Sequence, residues 1–296
     1  MTYESLLRIG EISININGDF EDDILIEKAR RAERYVNGVW IGDSDFFKDP
    51  FHLAELFLEN TDLIVGFGIL RAKNCHRILK KLEKFSELEE RVIVGVSAGD
   101  GGRIDVALKC IQKIKERFRI PVVAGGTGRR ALIKLSRISD GFLLNHISPR
   151  HVDYALNYVK SDFVSAYGPC LPVPSKFEQD LLLATAIVMG SSKSFIRDMG
   201  YEDIFQGIED IDVLGLIDLR QKGVDLGENP EYRKLERFRD FLLENFSISG
   251  SIDEISDKII ILLEKCSHVI LSDPFFREEN FDVLVRDITE NLKKKV

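Results

Sequence analysis

The feature that most constrains this chain is a rhythm: short apolar runs alternate with amphipathic helical stretches along most of its length. A helix that must bury one face between two strands acts as a crossover, and crossovers join parallel strands. Eight runs read as strands, at residues 6–14, 38–41, 63–69, 92–97, 121–125, 141–145, 163–167 and 268–272. In runs such as Val92-Ile93-Val94 and Phe142-Leu143-Leu144 every position is apolar, as in strands covered on both faces. Eight parallel strands favour closure into an α/β fold of the (β/α)8 TIM barrel type. An open doubly wound sheet is the alternative, since the count of short strands is uncertain by one or two.

The intervening helices fall at residues 22–35, 50–58, 72–85, 102–118, 129–138 and 149–159. A further helix over 252–265 opens with Ser251 and Glu254 at capping-box spacing. Residues 190–246 break the rhythm, being helical in pattern, rich in Asp, Glu and Arg, and without a strand. They read as a helical insertion before the last strand: a lid, a dimer surface, or solvated helices without chemistry. The 296 residues carry no internal repeat and no Gly/Ser linker, so 1–296 is expected to form a single barrel domain.

A net charge of −8 argues against a nucleic-acid partner, which calls for a basic stripe. No apolar stretch approaches the ~20 residues of a membrane span, and Glu4 and Arg8 break the N-terminal apolar run. A cytoplasmic protein without membrane attachment is the expectation. Cys75, Cys110, Cys170 and Cys266 are scattered, with no Cys or His at metal-ligand spacing, so reduced thiols and no metal are expected.

In a barrel, functional residues follow the strands. After the second strand come Gly42, Asp43, Ser44, Asp45, Phe46 and Phe47, which form either a ligand wall with polar handles or a capped turn over packed rings. The third carries Gly66, Phe67 and Gly68, where glycine permits a bulge or a close approach. The fourth ends in Ser97, Ala98, Gly99 and Asp100, small enough to leave the mouth open for a flat ligand. After the fifth, Gly125, Gly126, Thr127 and Gly128 run into Arg129 and Arg130, a turn suited to phosphate or simply a tight turn with two solvated arginines. Glu11, in an apolar first strand, is the candidate for handling protons, with an ion pair to Arg8 as the structural alternative. Of the histidines, His146 is placed to face the mouth.

These segments, in this order, resemble the bacterial luciferase-like flavin and deazaflavin oxidoreductases, most closely those of the coenzyme F420-dependent methylenetetrahydromethanopterin reductase type. The resemblance rests on Arg8-Ile9-Gly10-Glu11, Ala32-Glu33 leading into Val39 through Ser44, Thr61 through Ile69, Val94 through Asp100, Pro121 through Gly128, Ile138 through Asn145 and Phe246 through Glu254. It implies a luciferase-like barrel, commonly a homodimer, acting on a small organic substrate. Coenzyme F420 is the first expected cofactor and FMN the second. It further implies a non-proline cis peptide within Gly66 to Ile69 behind the ring. Ser44, Gly66, Phe67, Gly68, Ser97, Ala98 and Gly99 would border the ring. Gly125, Gly126, Thr127, Gly128 and Arg129 would hold phosphate, and Glu11 and Asp43 would act on the substrate. Ser44 departs from the family reductases, which tend to carry His there. With F420, hydride transfer is implied; with FMN, a monooxygenase becomes an alternative, as does a flavin-binding barrel without turnover. A phosphorylated-sugar barrel enzyme also fits the glycine-rich turn but not the motif order.

Overall fold

A computed structural model describes residues 6–99 and 101–295; Glu4 and Asp100, both used above, lie outside them. The strands are β1 (Ile12–Asn15), β2 (Gly38–Ile41), β3 (Ile64–Arg71), β4 (Val92–Ser97), β5 (Val122–Gly125), β6 (Gly141–Leu144), β7 (Val164–Pro172), β8 (Ile248–Gly250) and β9 (His268–Ser272). Strands β1 to β7 pair in sequence, all parallel, and β9 lies between β7 and β1 and closes the ring. The result is a closed eight-stranded (β/α)8 barrel. β8 stands outside it, paired with the far end of β7 at Cys170, Leu171 and Pro172.

The first strand begins six residues later than its apolar pattern suggests. Residues 6–8 are helical, and Gly10, at φ 84°, takes a left-handed conformation that ends the apolar run before Ile12. Leu6 and Ile9 are buried, but as a plug at the N-terminal end of the barrel: a Cβ on Gly38, the first residue of β2, would lie 2.5 Å from Ile9. With Trp40, Ile64, Ile93, Val123, Leu143, Phe163 and Ile270 they form the inner core. A larger core lies between the strands and the crossover helices α1 (Asp22–Ala32), α2 (Pro50–Asn60), α3 (Cys75–Leu82), α4 (Ile104–Arg117), α5 (Arg129–Leu135) and α6 (Pro149–Leu156).

Helix α7 (Glu178–Ser191) leads into the helical segment: α8 (Lys193–Met199), α9 (Glu202–Glu209), α10 (Val213–Gln221), α11 (Pro230–Glu236) and α12 (Arg239–Phe246). These helices build a core of their own around Phe195, Tyr232 and Phe246. α7 is buried on several sides, at Leu181, Leu182, Leu183 and Met189, because it lies between β7 and the other helices. The chain returns through α13 (Ile252–Leu263) and ends in α14 (Phe281–Lys295). The capping box of α13 is formed: Glu254 N–H donates to Ser251 Oγ at 3.3 Å, and Ser251 N–H to Glu254 Oε2 at 2.7 Å.

Not all four cysteines are free, contrary to the expectation from their spacing. Cys75 at the start of α3 and Cys110 in α4 form a disulfide with Cα atoms 5.6 Å apart, because consecutive crossover helices lie side by side on the barrel; Cys170 and Cys266 are buried thiols. Among the described residues no cluster of three or more metal-ligating side chains occurs, and no helix is long and apolar enough to cross a membrane.

Two consequences can be measured. A Cβ on Gly66 would lie 2.4–2.7 Å from the indole of Trp40, so Gly66→Ala should cost about 1–3 kcal/mol, read as a lower urea midpoint. An unchanged midpoint would contradict this packing. His146, His151 and His268 are fully buried, and burial holds all three below the ordinary imidazole range, to about 3 for His146 and about 4 for His268. They stay neutral in the fold but take protons when unfolded below about pH 6.5, so stability present at pH 7 is lost as the pH falls from 6.5 toward 4. Burial pushes Asp19 up to about 6 against the pull of Arg277, so it offsets one proton of this loss. The expected net loss between pH 7 and pH 5 is roughly 4 kcal/mol, measurable as urea midpoints at the two pH values.

Candidate active site

The βα loops meet at the C-terminal ends of the strands, and two connected cavities open there. The first, about 770 Å³, is bounded by the ends of β2 to β6. Its back wall is set by β3. Between the pairs Phe67–Val94 and Leu70–Val96, β3 advances three residues while β4 advances two, so one residue is extra. This bulge, where the Gly68–Ile69 peptide is cis, directs both Gly68 and Ile69 inward and both line the cavity. Ile69 lies across the neighbouring strands: a Cβ on Gly95 would come within 2.9 Å of it, and one on Gly125 within 2.1 Å. Glycines in β4 and β5 thus have a packing reason, and the floor they leave is flat. Asp43, Ser44, Ser97, Ala98, Gly99, Gly125, Gly126, Thr127 and Gly128 all line this cavity.

Four expected residues do not. Phe67 points outward, its ring 5.0 Å from Phe51 and 6.3 Å from Phe85, because residues alternate faces along a strand and Gly66 and Gly68 face in. Gly66 lies deeper, beneath Trp40. Glu11 is exposed at the N-terminal entry to β1, where its carbonyl accepts from Val269 N–H at 2.8 Å. Six residues of extended chain, about 20 Å, separate it from the mouth-lining Asn17, and Arg8 pairs with Glu90 rather than Glu11. Arg129 turns toward the helical segment, donating from Nε to Asp198 at 2.9 Å, and Tyr154 donates to the same carboxylate oxygen at 2.7 Å. The glycine-rich turn keeps its open backbone, with nothing within 4 Å of a Cβ on Gly128, but its arginine is engaged elsewhere.

Residues that sequence reasoning passed over complete the site. Arg71, the last residue of β3, donates to Asp43 from Nε at 3.3 Å and from its backbone N–H at 3.2 Å, and reaches Asp45 at 2.8 Å. This guanidinium holds Asp45 below the usual carboxylate range. The charged side chains lining the first cavity, among the described residues, are these three, so two carboxylates oppose one cation. Asn17 accepts from Gly42 N–H at 3.3 Å, and Thr127 Oγ1 donates to the Ser191 carbonyl at 2.5 Å. Tyr167, on β7, lines both cavities; burial pushes its hydroxyl up to about 12, and the neighbouring Ser272 hydroxyl pulls the other way. Ser272 in turn donates to Asn15 Oδ1 at 3.3 Å, and Asn15 Nδ2 to the Trp40 carbonyl at 2.9 Å. The signal that could have found Tyr167 is its place at the end of a strand run. His146 lies instead in a buried contact with His151, their ring centres 3.5 Å apart and their ring nitrogens without hydrogen-bond partners among the described residues.

The second cavity, about 690 Å³, lies between the barrel mouth and helices α7, α9 and α10. It joins the first at Asn17, Ser44, Phe46, Phe47, Asn145, Tyr167, Ser191 and Leu214.

No protein-family model and no curated protein matches the chain. Solved structures match over nearly its whole length. The coenzyme F420 dependent tetrahydromethanopterin reductase from Methanopyrus kandleri superposes with a TM-score of 0.76 at 17% identity, covering 97% of this chain and 99% of that one. An F420-dependent secondary alcohol dehydrogenase, solved with an F420-acetone adduct, gives a TM-score of 0.67 at 12% identity over 96% and 99%. EDTA monooxygenase from Chelativorans sp. BNC1 gives 0.54 at 14% identity over 97% and 94%. The chain shares the (β/α)8 barrel fold of these solved structures.

Proposed function

We propose that this chain is an oxidoreductase that binds coenzyme F420 in the first cavity and reduces or oxidises a small organic substrate held beside it. The observation that carries this reading is the flat-floored slot behind the β3 bulge, at the strand ends of a luciferase-like barrel. Its faces are chemically suited to a fused ring: Gly68, Ile69, Ala98 and Leu143 offer small or apolar surface, while Ser97 and Asn145 offer polar edges. A bound deazaflavin or flavin would supply the two-electron hydride chemistry that no side chain provides.

At the glycine-rich turn, the charge on the phosphate itself favours F420 over FMN. FMN ends in a phosphomonoester carrying nearly two negative charges, whereas the phosphate of F420 is a diester carrying one. Arg129 is held by Asp198, and Arg71 by Asp43 and Asp45, so neither guanidinium is available to a dianion without breaking an ion pair. The backbone of the Gly125–Gly128 turn suits the single charge.

Tyr167 takes the proton-handling role in place of Glu11. Its hydroxyl stays protonated at neutral pH and stands where the two cavities join, within reach of an atom that gains negative charge. Ser272 and Asn15 hold it in position. Asp43 keeps Arg71 folded against the cavity rim and so positions that wall.

Fluorescence titration of the purified chain should show F420 binding in the low micromolar range and FMN binding more weakly. Binding of FMN in preference, with substrate-dependent oxygen uptake, would turn the reading to a monooxygenase; binding of neither ring by folded protein would overturn it. With a substrate found by screening carbonyl and imine compounds for oxidation of reduced F420, Tyr167→Phe should lower kcat by about 100-fold and leave F420 affinity unchanged. Full turnover in this variant would remove Tyr167 from the mechanism.

A further inference from the structure

The second cavity carries information about the substrate that neither the fold nor the motifs contain. Large apolar side chains exposed on a folded surface are most informative where they gather in a concavity. Phe46, Ile187 and Leu214 are 46%, 41% and 55% exposed, and all three line this chamber. They come from three separate elements: the β2 loop, α7 and α10. Their common face is a trough about 690 Å³ in volume, within the range of small-molecule sites.

The far end of the trough is charged. Arg220 of α10 donates to Asp180 of α7 at 2.7 Å and 3.2 Å, both bonds falling on Oδ2. Arg277, after β9, bonds Asp273 at 2.6 Å and Asp19 at 2.5 Å, and also feels the field of Asp180. Asp180, Asp273, Arg220 and Arg277 line the chamber, and Asp19 backs it. Two guanidiniums thus face two carboxylates on the chamber wall, and behind it Asp19 feels both Arg277 and Lys28, so the charges there balance and both guanidiniums are already engaged. Asp19, pushed up to about 6 by burial, is ionised above neutral pH. Nearer the mouth, Lys193 and Glu209 face each other at 3.6 Å and cancel.

We infer that this chamber is the substrate site, and that it takes an amphipathic molecule with an apolar body and a neutral or cationic end rich in N–H donors, and excludes carboxylates and phosphates at that end. The apolar body lies against Ile187 and Leu214. The N–H donors meet Asp180 and Asp273, while Arg220 and Arg277 are already occupied by those carboxylates. An anionic end group would have to displace one of the aspartates and leave it without its cation in a partly dry site. The selectivity therefore resides in the charged residues of α7, α10 and the β9 loop, which do not line the ring slot. Calling the bound molecule a substrate rests on the reading of the neighbouring slot as the hydride site; the selectivity of the chamber does not.

The test uses three probes with the same alkyl tail, octanamide, octylamine and octanoate, titrated calorimetrically into the full chain without cofactor at pH 7.5. Octanamide and octylamine should bind at least about tenfold more tightly than octanoate. Asp180→Asn, which removes one negative charge, should raise octanoate affinity about tenfold. Ile187→Asp, at a half-exposed position outside the ring slot, should abolish octanamide binding while circular dichroism and F420 titration remain as in the unaltered chain. Octanoate binding as tightly as octanamide, octanamide binding that survives Ile187→Asp, or no binding of any probe to folded chain would each overturn the inference. Since the probes are read without cofactor, failure of the F420 titration alone overturns the ring assignment and leaves the selectivity standing.

Discussion

The site depends first on how two side chains fill the barrel. Trp40 lies over Gly66 so closely that a single added carbon there would collide with the indole, and Ile69 lies over Gly95 and Gly125 in the same manner. These contacts sit beneath the mouth and set its depth. Among the described residues Trp40 Nε1 has no hydrogen-bond partner, so the indole is held there by packing. What the packing produces is a flat surface of backbone and small side chains at the strand ends. A flat ligand can approach it closely because the bulky groups lie one layer down.

The second governing constraint is the pairing of charge. Arg71 lines the first cavity, Arg220 and Arg277 line the second, and Arg129 follows the glycine-rich turn; each is held by at least one aspartate. A guanidinium fixed in this way acts as a scaffold for carboxylates more than as an anion trap. The mouth therefore combines basic residues with carboxylates that already engage them, and the proposed preferences of both cavities follow from that one property. The helical segment matters here because it supplies Asp198 to Arg129 and, to the second chamber, the Arg220 that pairs with Asp180 of α7.

Much of the fold was legible because barrel strands are buried on both faces and so read as continuous apolar runs. The same property produced the error at the first strand: Leu6 and Ile9 are apolar because they plug the barrel floor, and burial alone does not distinguish a plug from a strand. β8 escaped notice because three residues pairing with an extension of β7 leave no periodic pattern. At the site, the glycine-rich loops after β4 and β5 were readable as an open mouth. Phe67 could have been placed correctly from strand alternation alone, since its neighbours Gly66 and Gly68 face inward. Glu11 could not, because its apolar neighbours suggested a buried strand position.

By itself the sequence determined the alternation of strands and helices, the capped start of α13, and the set of small residues at the strand ends, because these follow from local periodicity and backbone freedom. Tertiary structure alone decided which charges are free. Arg129 and Asp198 are 69 residues apart, and Arg71 and Asp43 are 28 apart, and ion pairs at such separations exist only once the barrel has closed and the helical segment has docked over its mouth. The same closure joined the Cys75–Cys110 disulfide, brought Tyr167 to the junction of the two cavities, and left Glu11 at the opposite end of the barrel. A sequence orders the groups that can do chemistry along a line, and only the folded barrel sets which of them face one space.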